Sequence, residues 1–110
     1  MRQAGVLAAP ALLALQTHRE RLVEDHARAQ RLAEGLSRLP GAEVLHAPIE
    51  TNIVFVRFPG RDAAAIKAAL GAQGVLVGAF GADGLRFVTH LDVDDGAVAH
   101  ALAALHSLTW

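Results

Sequence analysis

The hydrophobic pattern of this 110-residue chain changes period at Pro40-Gly41. Before that point, apolar residues recur every three or four positions, which is the spacing of one helix face. After it, short runs rich in branched and aromatic residues alternate with segments of helical spacing, a pattern typical of strands joined by helices and turns. The chain must therefore pack its helices against a small sheet, and this requirement limits the fold class.

Two helices are predicted before the change of period. Residues 3–16 favour helix through alanine and leucine, and we expect either a kink at Pro10 or a helix that begins near it. Thr17-His-Arg-Glu20 has the spacing of a capping box, which predicts that a second helix begins there and ends at Pro40-Gly41. The predicted apolar face of this second helix consists of Leu22, His26, Ala29, Ala33 and Leu36.

The rest of the chain predicts four strands and two helices. The strands are expected within residues 42–46, 51–58, 75–79 and 84–93. Asp62 is predicted to cap a helix that ends before Gly74, and Asp92 to cap the last helix. The apolar positions of that last helix are predicted to be Val98, Ala101, Leu102, Leu105 and Leu108.

This order of elements predicts an α+β fold. Turns too short for many parallel crossovers favour a small, mainly antiparallel sheet with helices packed on one face, preceded by two N-terminal helices. We expect one domain over residues 1–110, with the leading helices at 1–38 and the α/β sandwich at 42–110. The leading helices are expected to leave an apolar surface that a second subunit could cover.

Composition excludes several kinds of protein. The chain has no cysteine, which excludes thiol catalysis and disulfides, and a formal charge of −1 gives no general attraction to nucleic acid. Residues 1–17 contain one arginine and an apolar run, so a secretory signal peptide remains an alternative to a helix that is part of the fold. That run is too short to span a membrane. We expect a cytoplasmic protein.

Few residues suggest chemistry by themselves. The six histidines show no metal-ligand spacing, no glycine-rich phosphate loop is present, and Lys67 is expected to be an exposed helical lysine. Arg86 is different because it lies in a predicted strand, on the same face as Val88 and His90. A guanidinium there requires an anion. The residues alone favour a neighbouring Asp or Glu and leave a bound carboxylate or phosphate open.

Four blocks of sequence resemble, in order, the C-terminal region of the low-specificity threonine aldolases, which are pyridoxal-phosphate enzymes of the aspartate-aminotransferase-like fold. The blocks are residues 1–9 (MRQAGVLAA), 24–36 (EDHARAQRLAEGL), 50–54 (ETNIV) and 85–93 (LRFVTHLDV). The resemblance implies a parent reaction that cleaves L-threonine or L-allo-threonine to glycine and acetaldehyde. It also implies that Arg86 holds the substrate α-carboxylate, and that Arg2 reaches the cofactor phosphate of a neighbouring subunit.

The same resemblance implies that the catalytic half of the enzyme is missing from this chain. In the family, the lysine that binds the cofactor covalently and the residues around its ring lie upstream of residue 1, and Lys67 does not align with that lysine. We therefore expect an inactive C-terminal domain with no bound cofactor or metal. The alternatives are an oligomerisation or docking module that uses the N-terminal helices, and a secreted domain.

Overall fold

The computed structural model describes residues 1–109, which form four helices and four strands in the order predicted. The helices are α1 (Gly5–Thr17), α2 (Leu22–Ser37), α3 (Ala63–Ala72) and α4 (Asp95–Ser107). The strands are β1 (Glu43–Val44), β2 (Ile53–Arg57), β3 (Gly78–Phe80) and β4 (Gly84–Val88).

The four strands form one antiparallel sheet in the order β1-β2-β4-β3. Its inner face packs against α2 and α3, which in turn pack against α4, while its other face carries no helix. The core therefore lies between one sheet face and three helices, which confirms the predicted α+β fold. The buried strand residues on the inner face are Val54, Val56, Leu85 and Phe87.

All four strands are shorter than predicted. β3 begins at Gly78, three residues later than expected, because the Val75 amide donates to the Leu70 carbonyl and so belongs to the end of α3. β4 ends at Val88, after which the Thr89 amide still donates to the Asn52 carbonyl at 2.9 Å. The late start of β3 thus reflects a backbone group that has another partner, whereas one backbone hydrogen bond between the segments of β2 and β4 continues past the end of β4.

Two predicted helix starts are wrong. The Thr17 hydroxyl donates to the Leu13 carbonyl at 2.6 Å, so Thr17 ends α1, and α2 begins at Leu22 after Arg21 without a side-chain cap. The cap of α4 is Asp94 rather than Asp92. The predicted Asp62 cap of α3 is confirmed, with its carboxylate accepting from the Ala64 amide at 2.9 Å.

Helix α2 buries most of its predicted apolar face, and it also buries Asp25, Leu32 and Gly35, which lie outside that prediction. Ala29, Ala33 and Leu36 are buried as predicted, whereas Leu22 is exposed. Asp25, predicted to lie on the polar side, is only 3% exposed. Its carboxylate accepts two hydrogen bonds from the Arg21 guanidinium, at 2.7 and 3.1 Å, and this pairing allows a charged group to be buried.

Helix α1 stands apart from the sandwich. It runs continuously through Pro10 rather than beginning there, because a proline removes one backbone donor and leaves the other bonds of the turn in place. None of its residues is buried, although Gly5–Thr17 contains no charged side chain. None of the helices in residues 1–109 combines the length and hydrophobicity needed to cross a membrane.

Candidate functional site

The sheet face that carries no helix, here called the open face, is the candidate functional site. Strand alternation places Phe55 of β2, Phe80 of β3 and Arg86 of β4 on it, while Leu85 and Phe87 point into the core. Val88 lies two residues beyond Arg86 and is also exposed. The open face therefore combines aromatic and aliphatic side chains with the guanidinium groups of Arg86 and, at the end of β2, Arg57.

Arg86 has no acidic partner in the part of the chain described. The ion pairs and side-chain hydrogen bonds among residues 1–109 all involve other groups, and Arg86 is exposed. The prediction of a neighbouring Asp or Glu, which the residues alone favoured, is thus wrong. Asp83, three residues before Arg86 in the sequence, pairs with Arg57 instead. A guanidinium that protein groups leave unpaired is available to an anionic ligand.

Two glycines shape the surroundings of Arg86. In the antiparallel register, Gly78 of β3 lies opposite Arg86, and Gly84 of β4 lies opposite Phe80. A Cβ atom on Gly78 would lie 3.3 Å from Arg86 Nε, and one on Gly84 would collide with the Phe80 ring. Each large side chain therefore lies over the glycine of the neighbouring strand.

Aromatic rings border the same surface. The Phe55 ring meets Phe80 edge to face with a centroid distance of 5.4 Å, and it meets His46 in the same manner at 6.1 Å. His46 has a φ of 56°, which lies in the left-handed region that few non-glycine residues adopt. The three rings form a continuous apolar row next to Arg86.

The turn between β3 and β4 is held by an ion pair. The Arg57 guanidinium donates to both carboxylate oxygens of Asp83, at 2.7 and 3.1 Å. These hydrogen bonds, helped by the opposite charges, lower the pKa of Asp83 below its usual value of 3.8 and raise the pKa of Arg57. Since Gly84 follows Asp83 directly, this pair fixes the start of the strand that carries Arg86.

The other end of β4 is fixed by Thr89 and Asn52. The buried Thr89 hydroxyl donates to the Asp25 carbonyl of α2 at 2.7 Å, and the Asn52 side-chain amide donates to the Thr89 carbonyl at 2.7 Å. The sequence pattern predicts no role for either residue. Polar residues directly beside a hydrophobic strand, as in Thr51-Asn52 and Thr89-His90, were the available signal. They hold Arg86 on a rigid strand.

The remaining candidates are not gathered at the open face. His90 accepts a hydrogen bond from the Asp92 amide at 3.2 Å, which is a role at the end of a strand. Lys67 lies on α3, which packs on the inner side of the sheet, and Arg2 precedes the isolated α1. Among residues 1–109, no three His, Asp or Glu side chains are grouped so as to hold a metal ion.

Comparison with known proteins identifies the family of this chain. Residues 1–59 match the family model of the beta-eliminating lyases. The chain belongs to the beta-eliminating lyase family. The curated low specificity L-threonine aldolase of Escherichia coli (strain K12) is 42% identical over 103 residues, which cover 94% of this chain and 29% of that protein. A probable low-specificity L-threonine aldolase of Arabidopsis thaliana is 37% identical over 111 residues, or 98% and 31% of the two chains.

Solved structures that share the fold of this lyase-family chain are pyridoxal-phosphate enzymes of fold type I. A C-DES mutant with glycine covalently linked to its pyridoxal-phosphate cofactor superimposes with a TM-score of 0.77 at 27% identity, over 96% of this chain and 29% of that one. C-DES in complex with cysteine persulfide, described as a cystine C-S lyase, gives a TM-score of 0.76 at 26% identity over the same shares. The chain thus spans less than a third of these relatives and corresponds to their C-terminal part.

The residues of this lyase-family chain do not form a complete cofactor site by themselves. Covalent attachment of pyridoxal phosphate needs a lysine amine, and the one lysine in the sequence, Lys67, lies on the opposite side of the sheet from Arg86. Arg2 could donate to a phosphate, but it lies on the N-terminal segment, away from the open face.

Proposed function

We propose that this chain is the C-terminal domain of a pyridoxal-phosphate-dependent threonine aldolase-like lyase, in which Arg86 holds the α-carboxylate of the amino-acid substrate. The observation that carries the proposal is the exposed guanidinium of Arg86, which has no ion-pair or hydrogen-bond partner among residues 1–109 and lies in the block that resembles the aldolases. The 42% identity to the Escherichia coli aldolase supports the choice of this parent reaction within the family.

Arg86 would bind and orient the substrate. A guanidinium presents two parallel N–H groups that match the two oxygens of a carboxylate. The reaction would cleave L-threonine or L-allo-threonine to glycine and acetaldehyde, and the cofactor, held elsewhere in the enzyme, would supply the electron sink for this cleavage. The Arg57–Asp83 pair and the Thr89 hydrogen bonds would keep the guanidinium in place while the substrate binds.

The chain alone would not cleave threonine. The position of Lys67 supports this, since its amine lies on the other side of the sheet from the proposed carboxylate site. Arg2 would complete the cofactor phosphate site of a neighbouring subunit only in the assembled enzyme. Incubation of the chain with pyridoxal phosphate and borohydride should leave Lys67 without a stoichiometric adduct in mass spectrometry. A stoichiometric adduct on Lys67 would contradict the proposal.

A chimera tests the role of Arg86. The C-terminal segment of the Escherichia coli aldolase is replaced by residues 1–110 of this chain, and glycine formation from L-threonine is measured. Hydrogen bonds to charged groups contribute about 1.5–3 kcal/mol, so Arg86→Ala should raise KM about 10- to 100-fold. Arg38→Ala, at an exposed arginine beyond the end of α2, is the matched control and should leave KM unchanged.

A stability measurement distinguishes a role of Arg86 in substrate binding from a role in holding the fold together. Arg86 is exposed and unpaired, so Arg86→Ala should change the free energy of unfolding of the chain by about 1 kcal/mol or less in a denaturant titration. Equal KM values for the Arg86→Ala and unsubstituted chimeras would refute the proposed role. So would a loss of several kcal/mol, because it would make Arg86 a structural residue.

Helix α1 supports a second candidate function, an oligomerisation or docking module. Its exposed large apolar residues surround the helix, and a helix that is apolar on all sides is normally buried. These residues are Val6, Leu7, Leu12, Leu13 and Leu15. In this alternative, α1 would pair with a second copy of the chain or dock on an intact aldolase subunit.

A further inference from the structure

The open face contains a reciprocal arrangement of two glycines and two large side chains. The sequence Gly78-Ala-Phe80 on β3 pairs antiparallel with Gly84-Leu-Arg86 on β4, so that each pair on this face joins one glycine to one large residue. Phe80 lies over Gly84, and Arg86 lies over Gly78. The Phe80 and Arg86 side chains thus occupy the space that the two glycines, which have no Cβ atom, leave on the sheet surface.

The position over Gly78 determines the direction of the Arg86 guanidinium. On the β2 side, Arg86 lies opposite Phe55, whose ring contacts Phe80. The Phe80 ring in turn occupies the surface over Gly84, two residues before Arg86. Space for a long side chain therefore remains on the β3 side. There Arg86 Nε and Nη2 lie 3.3 and 3.4 Å from the point that a Gly78 Cβ would occupy.

We propose that Gly78 is a positioning residue, which orients Arg86 for the carboxylate of an amino acid by leaving the surface beside it empty. This inference rests on the proposed function, in which Arg86 binds that carboxylate. It explains why glycine stands in a strand, where it has neither a side chain to pack nor a favourable entropy. An exposed arginine has many rotamers, and restricting them reduces the entropy lost when the ligand binds.

Gly78→Ala is the direct test, and its effects on stability and on binding should differ. The new methyl group lies at 3.3 to 3.4 Å from flexible, exposed guanidinium atoms, so Arg86 can move aside. Because alanine is favoured over glycine in a strand, the Tm should stay the same or rise. In the chimera, KM for L-threonine should rise about tenfold, with a smaller change in kcat. Gly78→Val should raise KM further.

Gly71→Ala is the matched control, because it adds the same methyl group on α3, where the new Cβ would meet nothing within 4 Å among residues 1–109 apart from the adjoining helix backbone. It should leave KM unchanged. If Arg86→Ala raises KM and Gly78→Ala does not, the inference about Gly78 is overturned while the proposed function stands. If neither change raises KM, the proposed function itself has failed.

A second measurement examines the position of the Arg86 side chain in this chain alone, outside the chimera. The NεH proton of Arg86 should show a nuclear Overhauser contact with the Hα protons of Gly78, at a mildly acidic pH where its exchange with water is slow. The contact should be lost in Gly78→Ala and kept in Gly71→Ala. Its absence from the unsubstituted chain would overturn the inference whatever the kinetics show.

Discussion

The Arg57–Asp83 pair shows how one charged contact links neighbouring parts of the open face. It joins the end of β2 to the residue directly before Gly84 through two hydrogen bonds, of 2.7 and 3.1 Å. The hydrogen bonds from Arg57 lower the pKa of Asp83. A carboxylate whose pKa is lowered by folding stabilises the fold above its usual pKa, and this stabilisation is lost as the pH falls through the lower, folded value.

Asp83→Asn should therefore destabilise the chain in a pH-dependent way. At pH 7 the variant should be less stable than the unsubstituted chain, and the difference should shrink as the pH falls below 3.8, the usual pKa of the carboxyl group. Urea titrations at several pH values measure this. Asp92→Asn is the control, since no hydrogen bond or ion pair of its carboxylate is found among residues 1–109. A difference that stays constant with pH would contradict the prediction.

At the residue scale, the sequence predicts which face of the sheet a strand residue lies on, but it does not predict which charged residues pair. Strand alternation correctly separates Arg86 from Leu85 and Phe87. It does not reveal whether an acidic residue lies nearby, because that depends on which strands are neighbours. Asp83 is three residues from Arg86 in sequence, yet it pairs with Arg57 of β2.

At the scale of elements, the start of α4 depends on a contact with another helix. Asp92, Asp94 and Asp95 can all accept from backbone amides, and the sequence pattern favoured the first. Asp95 Oδ1 accepts from Arg28 Nε at 3.1 Å and from Arg31 Nη1 at 2.9 Å, which ties it to α2. Asp94, one residue before it, then caps the helix by accepting from the Ala97 amide at 2.8 Å.

Substitutions of Asp92 and Asp94 test which of the two aspartates caps α4. Asp94→Ala should lower the free energy of unfolding by about 1 kcal/mol, because the Ala97 amide loses its acceptor. Asp92→Ala should change it by no more than about 0.5 kcal/mol. Chemical denaturation of the two variants provides the measurement. A larger effect at Asp92 than at Asp94 would restore the original sequence prediction.

At the scale of the whole molecule, α1 gives the chain its length of 50 Å, against 27 and 25 Å in the other directions. A 13-residue helix is about 20 Å long. Its leucines are exposed all round, while the helices of the sandwich each bury one side. Exposed apolar surface of this kind is what supports the proposed alternative, in which α1 is an oligomerisation or docking module.

If α1 is an oligomerisation module, the chain should associate in size-exclusion chromatography with light scattering. Leu12→Glu combined with Leu13→Glu should then give a monomer, because charged side chains cannot be buried in an apolar contact. Leu76→Glu, at a leucine that is 89% exposed outside α1, should leave the association unchanged. A strictly monomeric chain would contradict self-association through α1.

The sequence by itself determined the order of the elements, the strand faces, the Asp62 cap and the family, because each depends on local spacing or on motifs in register. The tertiary structure decided which aspartate caps α4, how Asp25 could be buried, and that Arg86 has no acidic partner among residues 1–109. It also decided that Arg86 lies over Gly78. These features depend on contacts between strands and helices far apart in sequence, and the periodicity of a single segment carries no information about them.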